Sequence, residues 1–112
     1  MSEAACAWLE AHSAEKYSLE KMAKALFVNG SYLMRTFKRC TGMTPLAYHQ
    51  RLRCEKAKEL LLSSGLTVSQ VGEAVGYVSS SHFSHIFRKL EGCSPTEFQK
   101  NPRHEAAEGT DG

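Results

Sequence analysis

Two stretches of this chain carry side chains able to bond nucleic-acid groups at the same spacing. In the first, Ser31, Met34, Arg35 and Lys38 recur at intervals of three and four; in the second, Ser81, Ser84, His85 and Arg88 repeat that spacing fifty residues later. On a helix each set shares one face. The spacing predicts that Leu33, Phe37 and Cys40 point inward in the first stretch, and Phe83, Ile86, Phe87 and Leu90 in the second, which turns both polar sets outward. A guanidinium can bridge two acceptors on a guanine edge, so Arg35 is the strongest base reader of the set. Hydroxyls reach base edges directly or through water, and Lys38 and Arg88, a turn further on, suit phosphates. Asn29 and Ser79 precede the two stretches as expected N-caps, which would present the N–H groups and positive end of each helix to phosphate. The same pattern also fits two amphipathic hairpins with ordinary solvated faces, and charge and periodicity alone leave both readings open.

Other chemistries find weaker support. His82-x-x-His85 has i, i+3 spacing with Cys93 not far along, but it lacks a third fixed ligand for a metal. No nucleophile–base arrangement, phosphate-cradling glycine loop or carboxylate pair stands apart from the repeat, so neither an enzyme nor a cofactor is expected. Cys6, Cys40, Cys54 and Cys93 form no C-x-x-C pair and read as reduced, small apolar fillers. Arg53 shares a face with Ala57, Leu60 and Leu61, which predicts a partly buried ion pair; Arg51 and Lys58 lie more outward, within reach of a nucleic-acid backbone. Trp8 and Tyr48 read as core residues.

The elements that must position these residues are helical throughout. Ala5, Trp8, Leu9 and His12 follow one stripe, and Leu19, Met22, Ala23 and Leu26 another. Val68, Val71, Gly72 and Val75 form a third. Thr44-Pro45 and Ser94-Pro95 each read as an N-cap followed by proline at the first helical position; Thr67-x-x-Gln70 and Ser94-x-x-Glu97 are capping boxes. Gly42, Gly65 and Gly92 fall where helices should stop. With an offset of 49, Leu19, Met22 and Leu26 align with Val68, Val71 and Val75; from Ser31 and Ser81 onward the offset is 50. The one-residue difference therefore belongs in the turn between the paired helices, and the chain holds two copies of helix–turn–helix joined by a long helix.

A chain of 112 residues and mean hydropathy −0.37 has room for one modest domain and contains no membrane-length apolar run or leader pattern. It reads as soluble, unexported and cytoplasmic. The net charge is only +2, but between Lys16 and Arg103 fourteen cations face six acids, a balance of +8 that points to a polyanionic partner. The tail PRHEAAEGTDG lacks a stripe and is expected to be disordered.

Ser31-Tyr32-Leu33-x-Arg35-x-Phe37-Lys38, Gly42-x-x-Pro45-x-x-Tyr48 and Arg53-x-x-x-Ala57-x-x-Leu60-Leu61 together resemble the AraC/XylS family of bacterial transcription regulators. Gly76-Tyr77-x-Ser79-x-Ser81-His82-Phe83-Ser84-x-x-Phe87-Arg88-Lys89, followed by Gly92-x-x-Pro95-x-x-Phe98, extends the resemblance, which covers about residues 5–100. It implies an all-α fold of seven helices in one domain over residues 1–101. One helix-turn-helix would span about 18–41, a linker helix about 44–63 and the second helix-turn-helix about 67–91. It further implies double-stranded DNA as partner and base readout by Gly30, Ser31, Met34 and Arg35 and by Ser80, Ser81, Ser84 and His85, while backbone contact by Asn29, Lys38, Ser79 and Arg88 follows from their places at the helix starts and a turn further on. His85 stands where an arginine is common, which implies weaker or pH-dependent readout by the second unit. Phe27 stands where many such turns carry glycine, and a bulky residue at positive φ would be strained. The resemblance also implies regulation as an activator, contact with RNA polymerase, and an effector or dimerisation domain outside this chain. A module that only binds other proteins is the competing reading.

Overall fold

The computed structural model describes residues 2–100, and the expectation for the tail lies outside them. Among the described residues there are seven helices and no strand: α1 Ser2–Ala11, α2 Leu19–Ala25, α3 Gly30–Thr41, α4 Pro45–Ser63, α5 Val68–Ala74, α6 Ser80–Glu91 and α7 Pro95–Lys100. The chain divides into two compact units between Leu52 and Arg53, within α4. No helix among the described residues is long and apolar enough to cross a membrane.

Each unit has its own core. In the first, Ala5, Leu9, Met22, Ala23, Leu33 and Phe37 are buried, with Trp8, Leu19, Leu26, Tyr48 and Leu52 packed around them. Trp8 and Tyr48 thus flank the core and keep some exposure. His49 is buried as well, its Nε2 3.1 Å from the carbonyl of Glu15, which ties α4 to the segment between α1 and α2. In the second unit Cys54, Ala57, Leu61, Val71, Val75, Phe83, Phe87 and Phe98 form the core, its rings meeting edge to face at 5.7–5.8 Å.

Most helix ends are fixed by the residues that the sequence marks for the task, and α2 starts on a further cap. Ser18 accepts from Lys21 N at 3.1 Å to start α2. Thr67 with Gln70, and Ser94 with Glu97, close reciprocal capping boxes at 2.9–3.1 Å. The Thr44 hydroxyl accepts from Ala47 N at 3.1 Å ahead of Pro45. Gly42 and Gly92 take the left-handed conformation after α3 and α6, at φ 83 and 84.

The two hairpins match bond for bond through most of their turns. Phe27 N donates to Lys24 O and Val28 N to Ala23 O; Gly76 N donates to Glu73 O and Tyr77 N to Gly72 O. Those pairs keep the offset of 49. Leu33 N then donates to Asn29 O, and Phe83 N to Ser79 O, with the offset at 50. The added residue is therefore Val78, which projects fully into solvent. At the position where the second turn has Gly76 at φ 108, the first holds Phe27 at φ 58 with its side chain 94% exposed. The expected strained geometry is present, and exposure spares the ring any clash with the core.

Three inward or outward assignments change. Cys40 and Leu90 are exposed instead of buried: they occupy the same repeat position in the last turns of α3 and α6. Thr36, which the spacing left unassigned, is buried in α3 at the counterpart position to Ile86. Lys58 does not point outward to a backbone; its Nζ lies 3.1 Å from Glu55 and 3.3 Å from Glu91. Arg53 is buried as expected, and its guanidinium lies over the Tyr77 ring at 4.7 Å, an aromatic contact that the sequence reading did not name.

Candidate nucleic-acid interface

The first unit presents α3. Asn29 is its N-cap: the side-chain oxygen accepts from Ser31 N at 2.8 Å and Tyr32 N at 3.2 Å. This fixes the start of the helix while the core grips Leu33, Thr36 and Phe37. Ser31, Met34, Arg35, Lys38 and Arg39 are left exposed, and Gly30 half-buried. No acid occurs anywhere in α3. Three cations on a helix without a carboxylate leave α3 itself with positive charge alone, suited to phosphate.

The second unit presents α6 in the same way. Ser79 caps it, accepting from His82 N at 3.3 Å. Phe83, Ile86 and Phe87 hold it to the core, while Ser80, Ser81, His85, Arg88 and Lys89 stay exposed and Ser84 is half-buried. Its one acid, Glu91, sits in the last turn and is engaged by Lys58. The His82 ring packs edge-on against Tyr77 at 5.2 Å, giving that histidine a structural role. Among the described residues no group of three or more His, Cys, Asp or Glu is placed to hold a metal ion.

Each unit thus gathers its sequence-predicted readers on one exposed helix face. Arg39 and Lys89 join them as exposed cations that the spacing argument passed over, although both follow a predicted phosphate-reaching residue directly in sequence. An open recess of about 460 Å³ lies beside α3, lined by residues of α2, α3 and the turn that joins them. Glu20 and Lys24, one turn apart on α2, stand on its border with Asn29 and Gly30.

Two hairpins of short helix, tight turn and capped, cation-bearing helix define a helix-turn-helix protein of duplicated plan. A family model described as a helix-turn-helix domain matches residues 22–101. The C-terminal domain of AraT, a response regulator from Geobacillus stearothermophilus, is 33% identical; the match covers 88% of this chain and 83% of that one, at a TM-score of 0.85. The DNA-binding domain of the global transcriptional factor AdpA, solved in complex with a target DNA, is 26% identical with a TM-score of 0.84, the match covering 91% and 92% of the two chains. The HTH-type transcriptional activator RhaS of Escherichia fergusonii is 40% identical over 94 residues, 84% of this chain and 34% of that protein. The chain belongs to the AraC/XylS family of helix-turn-helix transcription regulators. It spans about a third of the length of the curated relatives it matches.

Proposed function

We propose that this chain is a sequence-specific binder of double-stranded DNA that places α3 and α6 in successive major-groove segments. The observation that carries the reading is the pair of matched faces: Ser31, Met34, Arg35 and Lys38 on one helix, Ser81, Ser84, His85 and Arg88 on the other, all exposed except the half-buried Ser84. In this reading Gly30, Ser31, Met34 and Arg35, with Ser80, Ser81, Ser84 and His85, face base edges. Asn29, Lys38, Ser79 and Arg88 hold phosphates. The helix-turn-helix units would occupy about 18–41 and 67–91 with residues 44–63 between them. Because the two faces differ in chemistry, a single chain would recognise an asymmetric site of roughly two turns. The DNA complex of AdpA supports this reading, and the activator RhaS supports a role as a transcription activator; such a role would place the chain in the cytoplasm in contact with RNA polymerase.

Selection of binding sites from random duplexes, followed by salt titration of the selected site, tests the proposal. A bipartite asymmetric consensus is expected, with affinity falling steeply as salt rises because neutralised phosphates release counterions. A flat selection, or binding indifferent to salt, would overturn it.

A further inference from the structure

The recess beside α3 shares residues with the proposed reading face. Its walls include Leu19, Ala23, Val28 and Met34, and Gly30 and Ser31 form its edge on α3. Met34 is 39% exposed. Unlike Ser31 and Arg35 it has no hydrogen to donate, and its thioether is a weak acceptor. A base edge gains little from it by hydrogen bonding. What the major groove offers an apolar side chain is the 5-methyl group of thymine. A methyl seated against the thioether leaves water on contact, and the unbranched methionine can adjust its shape to it.

We infer that Met34, backed by Leu19, Ala23 and Val28, recognises a 5-methylpyrimidine beside the base that Arg35 reads. The inference rests on the DNA-binding reading above and names what one position of that site must contain. The second unit has no equivalent, since the counterpart of Met34 is Ser84, a half-buried hydroxyl. Methyl dependence is therefore confined to the half-site under α3. It also extends to modified DNA: 5-methylcytosine carries the same methyl at the same ring position, so a cytosine there binds better when methylated.

The test begins with wild-type protein and the selected duplex, replacing each thymine singly by uracil, which removes the methyl and leaves the pairing edge intact. One replacement, next to the base pair whose preference Arg35→Ala relaxes, is expected to weaken binding about fourfold, the worth of one apolar carbon hidden from water. At that position a cytosine duplex and its 5-methylcytosine form should differ by a similar factor. Met34→Gln, matched in length and partly exposed, should bind the thymine and uracil duplexes equally. A consensus with no thymine in the α3 half-site, wild-type protein indifferent to every uracil, or Met34→Gln that keeps the full discrimination would each overturn the inference while leaving DNA binding intact. A flat selection would overturn the DNA-binding reading and this inference together.

Discussion

Arg35 and His85 hold the same repeat position, yet they bring different chemistry to it. A guanidinium is always charged and offers a planar fork of donors; an imidazole offers one donor when neutral. The first unit should therefore contribute the sharper base preference. Arg35→Ala is expected to cost about 1–3 kcal/mol in binding and to relax preference at one base pair, as read by repeating the site selection. Phe27 poses a separate question of backbone strain. A non-glycine residue at φ 58 costs roughly 1–2 kcal/mol, and an almost fully exposed ring returns little by packing. Phe27→Gly should raise the stability of the first unit by about 1 kcal/mol in urea unfolding, with glycine's greater freedom in the unfolded chain taking back part of the relief. Single residues are also where helical spacing misleads. Helical spacing gives a direction, but not whether anything lies in that direction. Cys40 and Leu90 fall on the inward side by spacing alone, yet in the last turns of α3 and α6 both are exposed. Spacing along α4 turns Lys58 toward solvent, because the pattern does not reveal that Glu91, thirty-three residues on, comes to meet it.

At the level of helices almost everything was legible, because stop and start signals are local. Asn29, Ser79, Thr67 with Gln70 and Ser94 with Glu97 need only residues two or three away to make their bonds. Contacts between helices were less visible. Gly72 appeared only as one member of a stripe, yet a Cβ there would lie 2.8 Å from the Phe83 ring. Its counterpart Ala23 and the smaller Leu33 both lie in the first unit's core, so the two hairpins divide bulk differently between their helices. Gly72→Ala should destabilise the second unit by about 1–3 kcal/mol in chemical denaturation, since the fully buried ring has nowhere to retreat. The long helix contributes a pH effect. Burial pushes the Cys54 thiol from its ordinary 9 up to about 12, with Glu91 adding in the same direction. The folded state favours the neutral thiol, so this contribution is complete below about pH 9 and is lost as pH rises toward 12. Comparing urea midpoints with Cys54→Ala from pH 8.5 to 10.5 checks it: the wild type should lose stability faster.

For the molecule as a whole, the charge distribution was plain in the sequence, whereas the allocation of each cation was not. Lys58 is engaged by carboxylates and Arg53 is buried against a ring, which takes both from the exposed positive surface. Lys38, Arg39, Arg88 and Lys89 remain exposed. Lys38→Ala should weaken binding to all sequences alike and reduce the slope of log affinity against log salt by about one. A parallel loss of base preference would show that Lys38 reads sequence instead. The exposed thiol of Cys40 has a practical consequence, for it stands at the far end of α3, away from the residues proposed to meet bases. Once Cys6 is replaced by serine, an iron chelate tethered at that sulfur would cut a bound duplex on one flank, and the position of the scission would reveal which way round the protein lies on its operator.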